Sequence, residues 1–419
     1  MTTRLLCAVA ILMSAVAAEE VFPPPEYNVR DFGAVGDGDA DDTPAFARAL
    51  AAAEAAGGGI VFAPRGNYYI AGPLRIGPYV TLRGIQTVPY AWSENKGTTL
   101  LTDWGEGEEE ADAFITMHGS CMCLQGVTIY YPKQDPEAEE PTPYPWTVDL
   151  AHGDNASIVD CLFVNPYKAV DFTWAGRHYI RGLYGRPIKI GILVDNCLDV
   201  GRIENVHFWP FWAGWGRDKP ISKWIFDNGV AFQFARTDWE YVADTFCFGY
   251  KIGYQFFEGE RGSCNGNFLG IGADVCRQSV RVDECQRIGL LITNGEFVSN
   301  FEDGYGVYVA ETNTGRVNFS NCAFWANTGA AGEIFGTGNV TFSSCNFINW
   351  GDGEGEDWAI VQHGGSMIVQ GCHFADAKPD VMITQGAEAA VVMGNVGADG
   401  VRVANSIGGR AQVGLNAPK

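Results

Sequence analysis

A short phrase that recurs at an almost fixed interval constrains this chain more than any other feature. An apolar alternation runs into a small or thiol residue, and an aromatic follows two positions later. It reads "IVDCLF" ending at Phe163, "IENVHF" at Phe208, "NGEF" at Phe297, "VNFSNCAF" at Phe324, "VTFSSCNF" at Phe347 and "MIVQGCHF" at Phe374. The last three intervals are 27, 23 and 27 residues. A coil of three short strands joined by turns needs that length, and a unit with a crossover helix needs more. Between the phrases Gly, Asn and β-branched residues abound and no sustained helical period appears. The expected fold is all-β, a right-handed parallel β-helix in which equivalent positions of successive coils lie above one another. Cys161, Cys322, Cys345 and Cys372 then form an inward ladder of small apolar thiols beside a ladder of Phe. A leucine-rich repeat shares the period, but its leucine-asparagine signature is absent, and 53 glycines suit tight turns better.

A length of 419 residues would ordinarily suggest two or three domains. A solenoid grows by stacking instead, so 19–419 is read as a single domain with irregular loops near 86–118, 132–146 and 209–237. Arg4, an apolar run from Leu5 to Met13 and the small residues Ser14 to Ala18 read as an export signal over 1–18, too short to span a bilayer. The mature protein is expected to be secreted or periplasmic, with no membrane partner. A formal net charge of -22 argues against nucleic acid, whose phosphates it would repel. Of 12 cysteines, Cys7 leaves with the signal, and the rest form no CxxC pair of the kind that holds zinc. Export permits disulfides, and Cys264 with Cys276 is one candidate pair. No assembly motif is legible, so the oligomeric state stays open.

Near the N-terminus, Thr43 suits a helix N-cap with Pro44 following it. Phe46, Ala49, Leu50 and Ala53 then share one apolar face, and Gly57 ends the helix. This capping segment, 27–70, would lie across the open end of the coil stack. Its residues Asp31-Phe32-Gly33-Ala34, Gly36-Asp37-Gly38, Asp41-Asp42-Thr43, Gly57-Gly58-Gly59 and Pro64-Gly66-Tyr68, followed by Val80-Thr81-Leu82-Arg83-Gly84, carry a resemblance. They closely resemble the opening module of the pectate lyase superfamily, shared by rhamnogalacturonases, polygalacturonase-related proteins, mannuronan epimerases and some phage tailspikes. The resemblance implies a β-helix and action on carbohydrate. It does not carry a catalytic set: the Asn-Thr-Asp, Gly-His-Gly and Arg-Ile-Lys motifs of polygalacturonases and the epimerases' Asp-Pro-His-Glu are absent. Asp37, Asp41 and Asp42 read as turn and helix-N-terminus residues.

The chemistry is therefore sought where polar and aromatic residues concentrate. Trp209, Trp212, Trp215, Trp224 and Trp239, with Tyr241, fall in one stretch, and aromatic faces stack on sugars. There "RTDWEYVAD" places Arg236, Asp238 and Glu240 at alternate positions, which on a strand share one side. Asp238 and Glu240 are the expected carboxylate pair of a hydrolase, with Glu258 as a substitute for either. A solvated charged face is the plainer alternative.

A second stretch, from Lys168 to Lys189, gathers Arg177, His178, Arg181 and Arg186 against Asp171 alone. It could hold a uronate, or serve a lyase with His178, Tyr179 or Lys189 as base; internal ion pairing is the competing reading. His207 alternates outward and could form another wall of the cleft. The acidic loops from Gly105 and from Pro132 could hold calcium, but no spacing matches a dedicated loop, so no cofactor or metal site is expected. The leading expectation is a glycoside hydrolase acting on a polysaccharide. The alternatives are a lyase or epimerase on a uronic-acid polymer, or a non-catalytic glycan-binding β-helix.

Overall fold

The computed structural model describes residues 25–85, 96–214, 216, 218–300, 304–351 and 357–419. The expected export signal, residues 86–95 of the first loop, and Trp215 lie outside them. From Gly59 onward the chain winds through coils of three short strands, for example Thr237–Ala243, Phe246–Phe248 and Ile252–Phe256, then Cys264–Leu269, Gly272–Asp274 and Gln278–Val282. Each strand pairs in parallel with its counterpart one coil on, which builds three faces around a common core. The first face runs from Glu26–Asn28 to Ala411–Gly414, the second from Asp37–Asp41 to Ala417–Pro418, and the third from Leu74–Ile76 to Val403–Asn405.

Register is fixed by the inward side chains, since a slip of one residue would turn every apolar group outward. On the first face one unbroken column passes through Val61, Ile180, Val242, Phe268 and Phe342 to Val392. On the second face Phe297, Phe324, Phe347 and Phe374 stack with ring centroids 4.9–5.3 Å apart. Phe163 and Phe208 stand in the same column, separated by Gly185. Cys322, Cys345 and Cys372 are buried alongside them.

The corner between the first two faces explains the residue that precedes each thiol in the repeated phrase. Asp160, Asn205, Asp244, Asn294, Asn321 and Ser344 all adopt positive φ there, as do Gly182, Gly270 and Gly371 on other coils. Each coil thus bends sharply through one left-handed residue, a conformation that Gly, Asn and Asp enter at least cost. Every described cysteine is a free thiol. The Cys264–Cys276 disulfide is therefore not formed; the Cys264 Sγ instead accepts a hydrogen bond from Thr237 Oγ1 at 2.9 Å.

The capping helix is Thr43–Ala55, with Phe46, Ala49, Leu50 and Ala53 buried. Its N-cap is Asp42 rather than Thr43, because the Asp42 carboxylate turns inward to accept from the Val35 and Gly36 amides. The loop expected near 209–237 is more regular than its composition suggested: it holds a helix, Pro220–Asn228, and the third-face strand Val230–Phe234. Among the described residues no helix is long and apolar enough to cross a membrane.

One buried carboxylate makes the stack sensitive to pH. Asp380 is 1 % exposed; its Oδ2 accepts from the Arg402 amide at 2.7 Å while its Oδ1 has no partner. Burial pushes its pKa up to about 6, against the weaker pull of the Arg402 amide and charge. Both folded and unfolded chains carry the proton below about pH 4, and only the folded chain keeps it between about 4 and 6. Stability from this group therefore falls as pH rises through that window and stays low above it. Asp380→Asn is expected to raise stability by about 2 kcal/mol at pH 8 and to change little at pH 4, read from urea midpoints at both.

Candidate active site

On the third face, inward Val148, Val170, Ile192 and Phe232 stack coil on coil. Their neighbours must then point out, and Asp149 and Asp171 are direct partners on adjacent coils. Asp195 lies one coil further and opposite Thr173, so it sits diagonally from Asp171. Three carboxylates thus converge on the outer surface of three successive coils.

Their environments differ. Burial raises the pKa of Asp149; a hydrogen bond from Thr116 opposes this, and the charges of Asp171 and Asp112 add to it. Its Oδ1 is buried without a hydrogen-bond partner. Burial likewise raises Asp171, opposed by the Thr173 hydroxyl and amide at 2.6 and 2.9 Å and reinforced by the Asp195 charge. Asp195 instead accepts the amides of Asn196 and Arg236 on Oδ1, at 2.7 and 2.9 Å. Two acids whose pKa burial raises, beside a third carboxylate on the next coil, can supply both an acid and a base to a bound substrate.

The edges of this surface are built by loops. On one side Glu109 binds Lys189 at 2.6 Å and Lys168 at 3.4 Å. On the other, Arg261 lies 4.8 Å over the ring of Trp174, which is 40 % exposed. An exposed indole with a guanidinium beside it offers stacking to a sugar ring and charge to an acidic substituent.

The residues expected from sequence distribute differently. Asp238 is half-buried, and its carboxylate accepts from Arg236 at 2.5 and 2.8 Å, from Asn265 at 3.0 Å and from Gln286 at 3.0 Å. Burial opposes ionisation there, but these donors hold its pKa below the usual carboxylate range. Glu240 is fully buried in the core, so it does not share a side with Asp238. The cause is Trp239, whose φ of 57° makes a bulge that breaks the alternation of the strand. Glu258 is exposed in the turn that follows Ile252–Phe256, off the strand itself.

The basic stretch is not a free anion site. Arg177 pairs with Asp154 and Asp199, Arg181 with Asp160, Lys189 with Glu109, and Arg186 is buried against Ser222 and Gly214. Arg181 belongs to a first-face strand and Lys189 precedes a third-face strand, so they do not line one groove. His178 is fully buried, which removes it as a base. His207 packs edge-on against Phe246 at 4.9 Å, and burial lowers its pKa. Trp209 is 38 % exposed, whereas Trp212 packs against the core. Trp239 and Tyr241 do converge, on a first-face groove of about 740 Å³ with Arg202, Glu204, Leu269 and Leu291. Among the acidic-loop residues, Glu109 serves the two lysines, and Asp103 and Glu106 bind Lys133.

Asp149, Asp171 and Asp195 were not among the expected site residues. The signal is present: "VD" recurs at 148–149, 170–171 and 194–195, at the coil period, with an apolar residue before each aspartate.

Residues 27–163 match the family described as rhamnogalacturonase A/epimerase, pectate lyase-like. The mannuronan C-5 epimerase AlgE6 A-module of Azotobacter vinelandii superposes with a TM-score of 0.57 at 15 % identity, over 94 % of this chain and 99 % of that one. The chain is a parallel β-helix whose first third resembles that family. Another β-helix of this likeness is the pre-mature gene product 12 of bacteriophage phi29, with a TM-score of 0.61 and 13 % identity over 89 % of this chain and 52 % of that one. At such identities these likenesses concern the fold alone. In sequence, 47 residues are 57 % identical to mannuronan C5-epimerase AlgE1 and to alginate lyase 7, both of A. vinelandii. That stretch is 11 % of this β-helix chain and spans only 3 % and 6 % of those relatives.

Proposed function

We propose that this β-helix acts on a uronic-acid polysaccharide outside the cell, removing the proton at C5 beside the sugar carboxylate, as a C5 epimerase or a lyase. The observation that carries this reading is the outward pair Asp149 and Asp171, direct partners on adjacent coils with Asp195 diagonal to Asp171, and burial raises the pKa of both partners. A protonated carboxyl can donate a hydrogen bond to the substrate carboxylate, which takes up the electron pair as the C5–H bond breaks. Asp195, diagonal to Asp171, is the candidate proton acceptor. An epimerase then forms a new C5–H bond on the opposite face of the ring. A lyase instead forms the C4–C5 double bond and breaks the C4–O bond, with the departing oxygen taking a proton. Similarity to an epimerase and an alginate lyase over the shared stretch supports this chemistry over hydrolysis. The exposed Trp174 and its Arg261 are suited to hold a neighbouring acidic sugar.

The test is incubation of the purified protein with polymannuronate, polyguluronate, polygalacturonate and a neutral glucan in deuterated water. Deuterium at C5 with inverted sugar signals marks an epimerase, and far-ultraviolet absorbance from an unsaturated uronate marks a lyase. New reducing ends without either signal would replace this reading with the hydrolase one.

A further inference from the structure

The residues that left the surface site form a cluster of their own inside the solenoid. His178, Gly201 and Glu240 occupy one inward column on three successive coils, as the neighbouring pairs Tyr179 with Arg202 and Arg202 with Tyr241 require. Further along, the same column holds Leu290, Val317, Val340 and Met367, so a histidine and a glutamate there are exceptional. Both are fully buried, as is Cys197. One ligand atom from each of the three lies within 4.8 Å of the others.

Two details indicate what the cluster is shaped for. His178 Nδ1 lies 2.9 Å from the Ala175 carbonyl, which can only accept, so Nδ1 carries the proton and Nε2 faces Glu240 Oε1 at 3.0 Å. Glu240 Oε2 is buried without any hydrogen-bond partner, an expensive state for a carboxylate oxygen. The space between them exists because residue 201 has no side chain: a Cβ there would stand 2.4 Å from both Glu240 Oε2 and His178 Nε2.

We propose that His178, Cys197 and Glu240 bind a divalent cation of zinc-like softness that staples three coils from within. An imidazole nitrogen, a thiolate and a carboxylate are the donor types such an ion takes. With a neutral imidazole and a thiolate the set carries two negative charges, which the ion balances inside the buried core. The Nδ1–H bond to a backbone carbonyl is the outer-sphere arrangement that orients a histidine ligand. Binding releases the thiol proton and any proton that His178 Nε2 shares with Glu240, and Glu240 Oε2 gains the partner it lacks. Without an ion His178 and Glu240 remain a buried pair 3.0 Å apart beside the free Cys197.

The test uses the full chain, purified under reducing conditions without chelator. Elemental analysis is expected to find about one zinc per chain, retained in Cys345→Ser and reduced to below about a tenth in Cys197→Ala. Where Cys197→Ala fails to fold, cobalt decides the matter in the wild type. Chelator-stripped protein should take up Co²⁺ with a thiolate-to-cobalt charge-transfer band, and its thermal midpoint should rise with Co²⁺ concentration. Zinc below about a tenth of an equivalent, with neither band nor midpoint shift on adding Co²⁺, would overturn the proposal in favour of the bare ion pair.

Discussion

Asp171→Ala is expected to lower kcat/KM on a uronan by about 10³-fold, and Asp149→Ala by a comparable factor, whereas Asp238→Asn should stay within about threefold of the wild type. The contrast follows from what each carboxylate faces. Asp238 already accepts from Arg236, Asn265 and Gln286, so its bonds are spent on holding the turn. Asp149 keeps a buried oxygen without a partner, and Asp171 lies between two further carboxylates on the outer surface. Asn variants separate the two roles that a protonated acid can play. Where the acid only donates a hydrogen bond to the substrate carboxylate, Asn still donates and most activity survives. Where it transfers a proton, Asn is as inactive as Ala. The pH profile carries the same information: a raised pKa keeps the acid protonated to higher pH, and activity falls as pH climbs through that value. A donor-only Asn variant should lose this alkaline decline. Activity within about threefold of wild type in both Ala variants would remove the third face from the chemistry.

The architecture was legible because the core writes itself into the sequence once per coil. Each "SNCAF"-like phrase encodes a left-handed corner residue, a buried small residue and a stacking aromatic. Asp149 and Asp171 are legible in the same way, as "VD" at coil period, but local charge density is higher in other segments. Those segments proved to be internally paired, as Arg177 with Asp154 and Asp199 shows. Glu240 was misplaced for a different reason. Alternation predicts orientation only while every residue stays extended, and Trp239 at positive φ reverses it for everything downstream on that strand. A bulge of one residue carries no signature that spacing alone reveals. The sequence places Glu240 with a surface carboxylate pair and His178 in an anion site; their meeting inside the core depends on Gly201, which is unremarkable in a chain with 53 glycines.

Phe347→Ala should destabilise the fold by about 3–5 kcal/mol, while Ile348→Ala next to it should change stability by less than about 0.5 kcal/mol. Phe347 is fully buried, with its ring 5.2 Å from Phe324 and 4.9 Å from Phe374, so truncation leaves a void and ends two stacked contacts. Ile348 is 43 % exposed on the opposite side of the same strand. Because each coil touches only its neighbours, the loss should be felt locally first. Hydrogen exchange is therefore expected to quicken in Ala323–Asn327, Asn346–Trp350 and His373–Phe374 well before Gly59–Phe62 or Val80–Arg83, where the capping helix packs. Uniform quickening along the whole chain would instead mean that the coils unfold as one cooperative unit. The stack would then transmit a defect across its full length, and the nearest-neighbour account of its stability would fail.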